Sequence, residues 1–141
     1  MKHPQIVIFE SDGLLARLLT PVAVECRWLL RESRQLPACL NLLREGGPSL
    51  LVLKLGRNLI RELSLLDRAR ALLPDVPAIV VADTVDASLI SVVYDLGALY
   101  VLLPPEPRQN LIPLATQALR ATIVRFTEAL PRAVRTAETD A

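Results

Sequence analysis

Polar side chains follow several of the apolar runs in this sequence, at places where they could act on a ligand. Glu10, Ser11 and Asp12 come directly after the first apolar run. Lys54 lies near the end of a later run, and Asp83 follows the next one. Carboxylates and an ammonium group could anchor a polar small molecule. A lysine in a desolvated pocket could instead attack a carbonyl compound and form a Schiff base.

Residues of other catalytic and binding types lack the spacing that their chemistry requires. His3 is the only histidine and precedes the first apolar run, so a Ser-His-Asp or Cys-His arrangement has no base. Cys26 and Cys39 do not form a C-x-x-C pair, and we expect both to be buried, reduced thiols. The glycines form neither a phosphate-binding loop nor a dinucleotide fingerprint. The sequence therefore predicts no metal and no cofactor.

The apolar runs alternate with longer amphipathic stretches, which is typical of parallel strands buried by crossover helices. The predicted strands are 6–9, 27–31, 50–55, 78–81 and 99–103. The predicted helices begin near 14, 37, 59, 86 and 108, and the last ends near 130. We expect Asp12 to be the N-cap of the first helix and Pro21 to kink or end it. Right-handed crossovers then predict an α/β fold, a doubly wound parallel sheet of about five strands in the flavodoxin-like order 2-1-3-4-5, with helices on both faces.

Length and composition are those of one globular domain. The 141 residues, of which 52% are hydrophobic, suffice for one buried core. We assign residues 1–130 to this domain and 131–141 to a polar tail, which is either a frayed terminus or the start of a linker. The net charge of +1 gives no broad field that would attract nucleic acid, and no apolar run reaches the roughly 18 residues of a membrane span. We therefore expect a cytoplasmic protein that binds neither nucleic acid nor membrane.

Four segments of the chain match one protein family in their order and spacing. They are Ile6–Asp12, Pro48–Lys54, Val76–Val81 and Asp95–Ala98. Together they resemble the receiver domains of response regulators, the CheY-like superfamily, from Ile6 to about Ile123. In that family, acidic residues after the first strand hold magnesium, and an aspartate ending the third strand accepts a phosphoryl group. A hydroxyl after the fourth strand and a lysine after the fifth then contact the phosphate.

This chain departs from the family's pattern where the phosphoryl chemistry takes place. Glu10 matches one acid, but Ser11 replaces the second and cannot supply the carboxylate charge that magnesium favours. Lys54 stands at the position of the phosphoacceptor. An ammonium group cannot form an acyl phosphate, so this replacement abolishes the acceptor chemistry.

The positions that contact the phosphate in the family have also changed. Ala82 stands at the hydroxyl position, although Thr84 follows two residues later, and Pro104 replaces the lysine. Pro105 keeps its type, and the resemblance implies a cis bond before it. The resemblance therefore indicates a degenerate pseudo-receiver without a phosphoacceptor. The residues of its degenerate phosphorylation pocket are Glu10, Ser11, Asp12, Lys54, Ala82, Asp83, Pro104 and Pro105.

Two placements of the Lys54 side chain are compatible with the sequence. Its stem could pack along the end of the strand while the ammonium group points into solvent. Alternatively, the ammonium group could enter the pocket and pair with Glu10, Asp12 or Asp83. In the second case the lysine would replace the metal and hold the pocket in one state.

Residues around the fourth and last predicted helices are candidates for a protein interface, because the family uses this region for signalling and dimerisation. Tyrosine is enriched at interfaces, although either tyrosine here could be a half-buried core ring. The apolar stripe of the last helix is wide, which predicts homodimerisation through it. Its arginines could contact acids of a partner or be ordinary solvated charges. The candidate interface residues are Tyr94, Tyr100, Arg108, Leu111, Arg120 and Phe126.

These observations predict a regulatory module of signal transduction or transcription regulation rather than an enzyme. It would act without phosphorylation, by binding a protein partner, itself or a fused output domain. Two alternatives stay open. One is a doubly wound domain that binds a small molecule through Glu10, Lys54 and Asp83, and the other is an enzyme with Lys54 as a Schiff-base nucleophile. Neither explains the receiver-like order of the motifs.

Overall fold

The centre of the protein is a parallel five-stranded sheet, seen in a computed structural model that describes residues 2–129. The strands are β1 Gln5–Phe9, β2 Leu29–Ser33, β3 Ser49–Lys54, β4 Ala78–Val81 and β5 Tyr100–Leu102. All neighbouring strands pair in parallel. Their order is β2-β1-β3-β4-β5, so the predicted doubly wound topology is confirmed.

In the described residues, four α-helices connect the strands, a fifth follows β5, and together they cover both faces of the sheet. They are α1 Leu14–Cys26, α2 Leu36–Glu45, α3 Leu59–Leu72, α4 Ala87–Asp95 and α5 Leu111–Ala129, and a 3-10 turn at Arg108–Asn110 precedes α5. The buried residues of α1 and α5 pack on one face, and those of α2, α3 and α4 pack on the other. Within the described residues, no helix is both long enough and apolar enough to cross a membrane. The predicted tail at 131–141 and the predicted helix end at Leu130 lie outside the described residues.

The central strands are apolar at successive positions because each face of the sheet meets a layer of helices. Ile6 and Ile8 of β1 point to the side of α1 and α5, whereas Val7 points to the side of α2, α3 and α4. All three side chains are fully buried. Strands with two covered faces read as continuous apolar runs, which is why the sequence locates β1, β3 and β4 within a residue or two.

The first crossover differs from its prediction. Pro21 lies inside α1, and the helix continues to Cys26 rather than ending at the proline. Burial of Leu19 before the proline and of Ala23 after it stabilises the helix on both sides of the missing N–H group. The N-cap position is Gly13, with φ of 76°, and not the predicted Asp12. Asp12 nevertheless accepts a hydrogen bond from the first helical N–H group, that of Leu14, at 3.1 Å.

The edge strand β2 also lies two residues later than predicted. Arg27 ends α1 in the left-handed conformation, with φ of 59°, and Trp28 packs part-buried against the cluster beneath α1 and α5. The strand therefore starts at Leu29. Four of its five residues are partly or fully exposed, so it lacks the apolar run that identifies the central strands.

The two cysteines differ in their surroundings. Cys39 lies in the core beneath α2, and burial raises the pKa of its thiol to about 12. Cys26, at the end of α1, is only partly buried and lies 3.9 Å from an Arg120 nitrogen. Both thiols are free. The prediction of two buried thiols is therefore correct for Cys39 and wrong for Cys26, which is the last residue of α1.

Candidate functional site

The carboxyl ends of β1, β3 and β4 border a cavity of about 930 Å³. The strand register pairs Phe9 with Leu53 and Lys54 with Val81, so the residues that follow these strands meet at one edge of the sheet. Five of the eight predicted pocket residues line this cavity, namely Glu10, Ser11, Asp12, Lys54 and Asp83. A cavity at this edge is where ligands bind in doubly wound folds.

Lys54 forms an ion pair in the wall of the cavity. Its Nζ lies 2.7 Å from Oδ2 of Asp83, and its side chain is 14% exposed. The other carboxylate oxygen of Asp83 accepts a hydrogen bond from the guanidinium of Arg108. The hydrogen bond from Lys54 is the largest influence that lowers the pKa of the Asp83 carboxyl. Of the two placements that the sequence leaves open, the structure has the paired one, and the partner is Asp83.

Glu10 does not contact Lys54, because its carboxylate is held by the start of α1. The side chain is 5% exposed, and its oxygens accept hydrogen bonds from the N–H groups of Leu15 and Ala16, both at 2.9 Å. Burial raises the pKa of the Glu10 carboxyl, although these two bonds oppose the shift. A metal ion would therefore have to compete with the helix for both oxygens.

Asp12 lies at the mouth of the cavity. The hydrogen bond from the N–H group of Leu14 is the largest influence that lowers the pKa of its carboxyl. Among residues 2–129, no group of three histidine, cysteine, aspartate or glutamate side chains is arranged to hold a metal ion. Glu10 and Asp12, which the sequence places together, therefore accept hydrogen bonds from different backbone N–H groups.

Glu62 is a buried carboxylate of the cavity wall that the sequence analysis missed. It is 4% exposed, and its oxygens accept hydrogen bonds from the N–H groups of the loop at 56–58, at 2.9, 3.3 and 3.2 Å. The loop follows β3 directly, so Glu62 fixes the backbone beside Lys54. The sequence does contain a signal for this role, because Glu62 is an acidic residue in the first turn of a predicted helix, where a carboxylate can accept hydrogen bonds from free N–H groups.

Three arginines of the cavity were also missed. Arg34 follows β2, Arg57 lies in the loop after β3, and Arg61 is in the first turn of α3. Arg57 donates a hydrogen bond to the Ser11 hydroxyl at 3.2 Å. In the described part of the chain, the ion pairs of this region are those of Asp83 with Lys54 and Arg108, so none of these three arginines is paired with a carboxylate. The three side chains meet because of the conformations of the loops after β2 and β3, and the periodicity of apolar residues does not predict loop conformation.

Comparison with solved structures places this architecture among known folds. The chain aligns with a response regulator from Thermotoga maritima at 18% identity and a TM-score of 0.68, over 85% of this chain and 99% of that one. It aligns with a CheY-like response regulator receiver domain protein from Methanospirillum hungatei at 12% identity and a TM-score of 0.70, over 89% and 99%. The chain has the receiver fold.

Comparisons by sequence find no family model that matches and no matching curated protein. By structure, the chain also aligns with part of a longer protein, NtrX from Brucella abortus, at 18% identity and a TM-score of 0.68. That alignment covers 89% of this chain but 28% of NtrX. In NtrX the matched domain is therefore joined to further chain.

The other three predicted pocket residues, Ala82, Pro104 and Pro105, have no polar side chain. Ala82 is 8% exposed, and its N–H group donates to the Leu102 carbonyl at 3.1 Å. The Pro104–Pro105 peptide bond is cis, as the resemblance implied. Neither Ala82 nor Pro104 lines the cavity. The cation that reaches the pocket from beyond β5 is instead Arg108, which was predicted as an interface residue.

The predicted interface residues do not form one exposed surface. Leu111 is fully buried in the core beneath α5, so its assignment to an interface is wrong. Tyr94 is 44% exposed, with its hydroxyl accepting from the N–H group of Val101, and the Tyr100 hydroxyl donates to Glu106 at 3.0 Å. Arg120 contacts α1, as described above, whereas Phe126 is 37% exposed near the end of α5.

Proposed function

We propose that this chain is a pseudo-receiver, a regulatory domain that acts through protein contacts and does not accept phosphate. The observation that carries the proposal is the Lys54–Asp83 ion pair at the end of the middle strand. Lysine cannot form the acyl phosphate on which receiver signalling depends. A domain that keeps the receiver fold without its acceptor is suited to binding partners in one fixed state.

The charge arrangement supports a fixed state. Asp83 is paired with Lys54 and Arg108, and both oxygens of Glu10 accept hydrogen bonds from N–H groups at the start of α1. A ligand shifts a conformational equilibrium only when it binds the two states differently. Magnesium and a phosphoryl donor meet neither a free acidic pair nor an acceptor here, so neither provides such a difference.

The same ion pair argues against enzymatic use of Lys54. Its Nζ lies 2.7 Å from Oδ2 of Asp83, so it would have to leave this partner before it could attack a carbonyl compound. Two further cavity carboxylates, Glu10 and Glu62, are engaged by backbone N–H groups. We therefore propose a regulatory role rather than a catalytic one.

The partner is either a fused output domain or a second protein. NtrX, which joins a domain of this fold to further chain, supports the fused arrangement as a precedent. We also propose homodimerisation through α5, since Val124 and Phe126 leave apolar surface exposed on its second half.

Phosphorylation tests the proposal directly. The chain is incubated with magnesium and acetyl phosphate, or with magnesium and beryllofluoride, and its amide NMR spectrum and intact mass are recorded. We expect no change in either, while an authentic receiver domain treated in parallel responds. A magnesium-dependent spectral change, or a phosphoryl adduct that hydrolyses in base, would contradict the proposal.

A further inference from the structure

We propose that the cavity at the carboxyl ends of the strands binds a small, multiply charged oxyanion of the phosphate type, without a metal ion. The site is formed by Arg34, Arg57 and Arg61, which line the cavity from three different elements. This inference deepens the proposed function and rests on it in one respect, namely that the pocket does not depend on magnesium.

The buried carboxylates of the cavity do not oppose an anion. Glu10 and Glu62 are 5% and 4% exposed. Glu10 accepts hydrogen bonds from N–H groups in the first turn of α1, and Glu62 accepts them from the loop at 56–58 that precedes α3. Both carboxylates are therefore engaged by backbone donors rather than by the arginines.

The accessible charges of the cavity are mainly positive. Among the lining residues, Asp83 is offset by Lys54, and its second oxygen bonds to Arg108, which does not line the cavity. Asp12 is the remaining acid, and Leu14 already occupies one of its oxygens. Within residues 2–129, Arg34, Arg57 and Arg61 have no carboxylate partner, and set against Asp12 they leave the accessible wall of the cavity with an excess of positive charge.

The size of the cavity and the type of cation define the ligand. About 930 Å³ lies within the range of roughly 300–1,000 Å³ that is usual for small-molecule sites. A guanidinium group can donate two parallel hydrogen bonds to a phosphate, and several such groups favour a ligand with more than one negative charge. Arg57 already holds the Ser11 hydroxyl at the cavity wall, which places its guanidinium over the cavity rather than away from it.

Titration calorimetry with inorganic pyrophosphate in EDTA tests the site. We expect saturable binding that weakens about tenfold in each of Arg57→Gln and Arg61→Gln, since each loses a charge-assisted pair. Arg68→Gln is the matched control, because it makes the same charge change on the exposed side of α3 outside the cavity and should leave the affinity unchanged. Circular dichroism melting of each variant confirms that it is folded.

Amide NMR shifts on adding pyrophosphate should be largest at Arg34, in the loop at 56–58 and at the start of α3. The proposal is overturned by an absence of binding, by an equal loss of affinity in Arg68→Gln, by a requirement for magnesium, or by tighter Arg57-dependent binding of a polyglutamate peptide. Pyrophosphate binding in EDTA is reversible and leaves the mass unchanged. Its failure is therefore distinguishable from failure of the proposed function, which shows as a magnesium-dependent response to acetyl phosphate.

Discussion

One ion pair sets the charge at the end of the middle strand. Lys54 bonds to Asp83, while the neighbouring acids are held by backbone N–H groups. In the proposed function, the ammonium group of Lys54 supplies the positive charge that a bound magnesium ion would supply. An attached cation cannot dissociate, so we expect the charge of the pocket to be independent of the magnesium concentration.

The pKa of Asp83 provides a test at the residue scale. Lys54 lowers the pKa of Asp83 in the folded protein. The ionised Asp83 therefore stabilises the fold above its unfolded pKa of about 3.9, and this contribution is lost as the pH falls through the folded pKa. We expect carboxyl NMR to give a midpoint below the ordinary aspartate value, and Lys54→Met to raise it. The difference in melting temperature between wild type and Lys54→Met should narrow below about pH 4.

Arg17→Met is a suitable control for this titration. It removes one exposed cation of α1 that forms no contact with Asp83 in the described structure. The Asp83 midpoint should be unchanged in this variant. An equal midpoint in wild type and Lys54→Met would show that the ion pair is not formed in solution.

At the scale of elements, the amino-terminal edge of the sheet depends on one close approach. Gln5 of β1 is 1% exposed, and its Nε2 donates to the Leu42 carbonyl at 2.8 Å and to Ser49 Oγ at 2.9 Å. Gly46 ends α2 directly against this side chain, where an added Cβ would lie 1.9 Å from Nε2 of Gln5. The glycine therefore allows α2, β1 and β3 to meet.

Gly46→Ala should destabilise the protein by about 1–3 kcal/mol, because Gln5 cannot move without losing both hydrogen bonds. Urea unfolding followed by circular dichroism measures the change. In the Gln5→Ala background the same substitution should cost less, since the clash is gone. An additive double-mutant cycle would contradict this packing argument.

At the scale of the whole molecule, the exposed apolar surface of α5 predicts self-association. Val124 and Phe126 are 55% and 37% exposed, whereas the first half of α5 is buried against the sheet. The sequence predicted a dimer surface along the whole helix, but residues such as Leu111 and Ala115 pack in the core. We therefore restrict the predicted dimer surface to the second half of α5.

Light scattering at micromolar concentration should give twice the chain mass of 15.5 kDa. Val124→Lys should shift the equilibrium toward the monomer by at least about tenfold, because a buried unpaired charge costs more than 1.4 kcal/mol. Ile60→Lys is the control, since Ile60 is 86% exposed on α3 and lies away from α5. A monomeric mass for the wild-type chain would contradict dimerisation.

The sequence by itself determined the sheet order, the central strands and the position of Lys54. These follow from local pattern, because a strand covered on both faces must be apolar throughout and a polar residue at its end must lie at the sheet edge. The exposed edge strand β2 and the persistence of α1 through Pro21 did not follow, since both depend on what packs against them.

The tertiary structure alone decided which acid pairs with Lys54. Glu10, Asp12 and Asp83 are equivalent candidates in the sequence, but the N–H groups at the start of α1 engage the first two and leave Asp83 for the lysine. It also brought Arg34, Arg57 and Arg61 to one cavity, although they lie on separate segments. Periodicity locates elements along the chain, whereas the partner of a charge depends on loop geometry and on competition among all neighbouring donors.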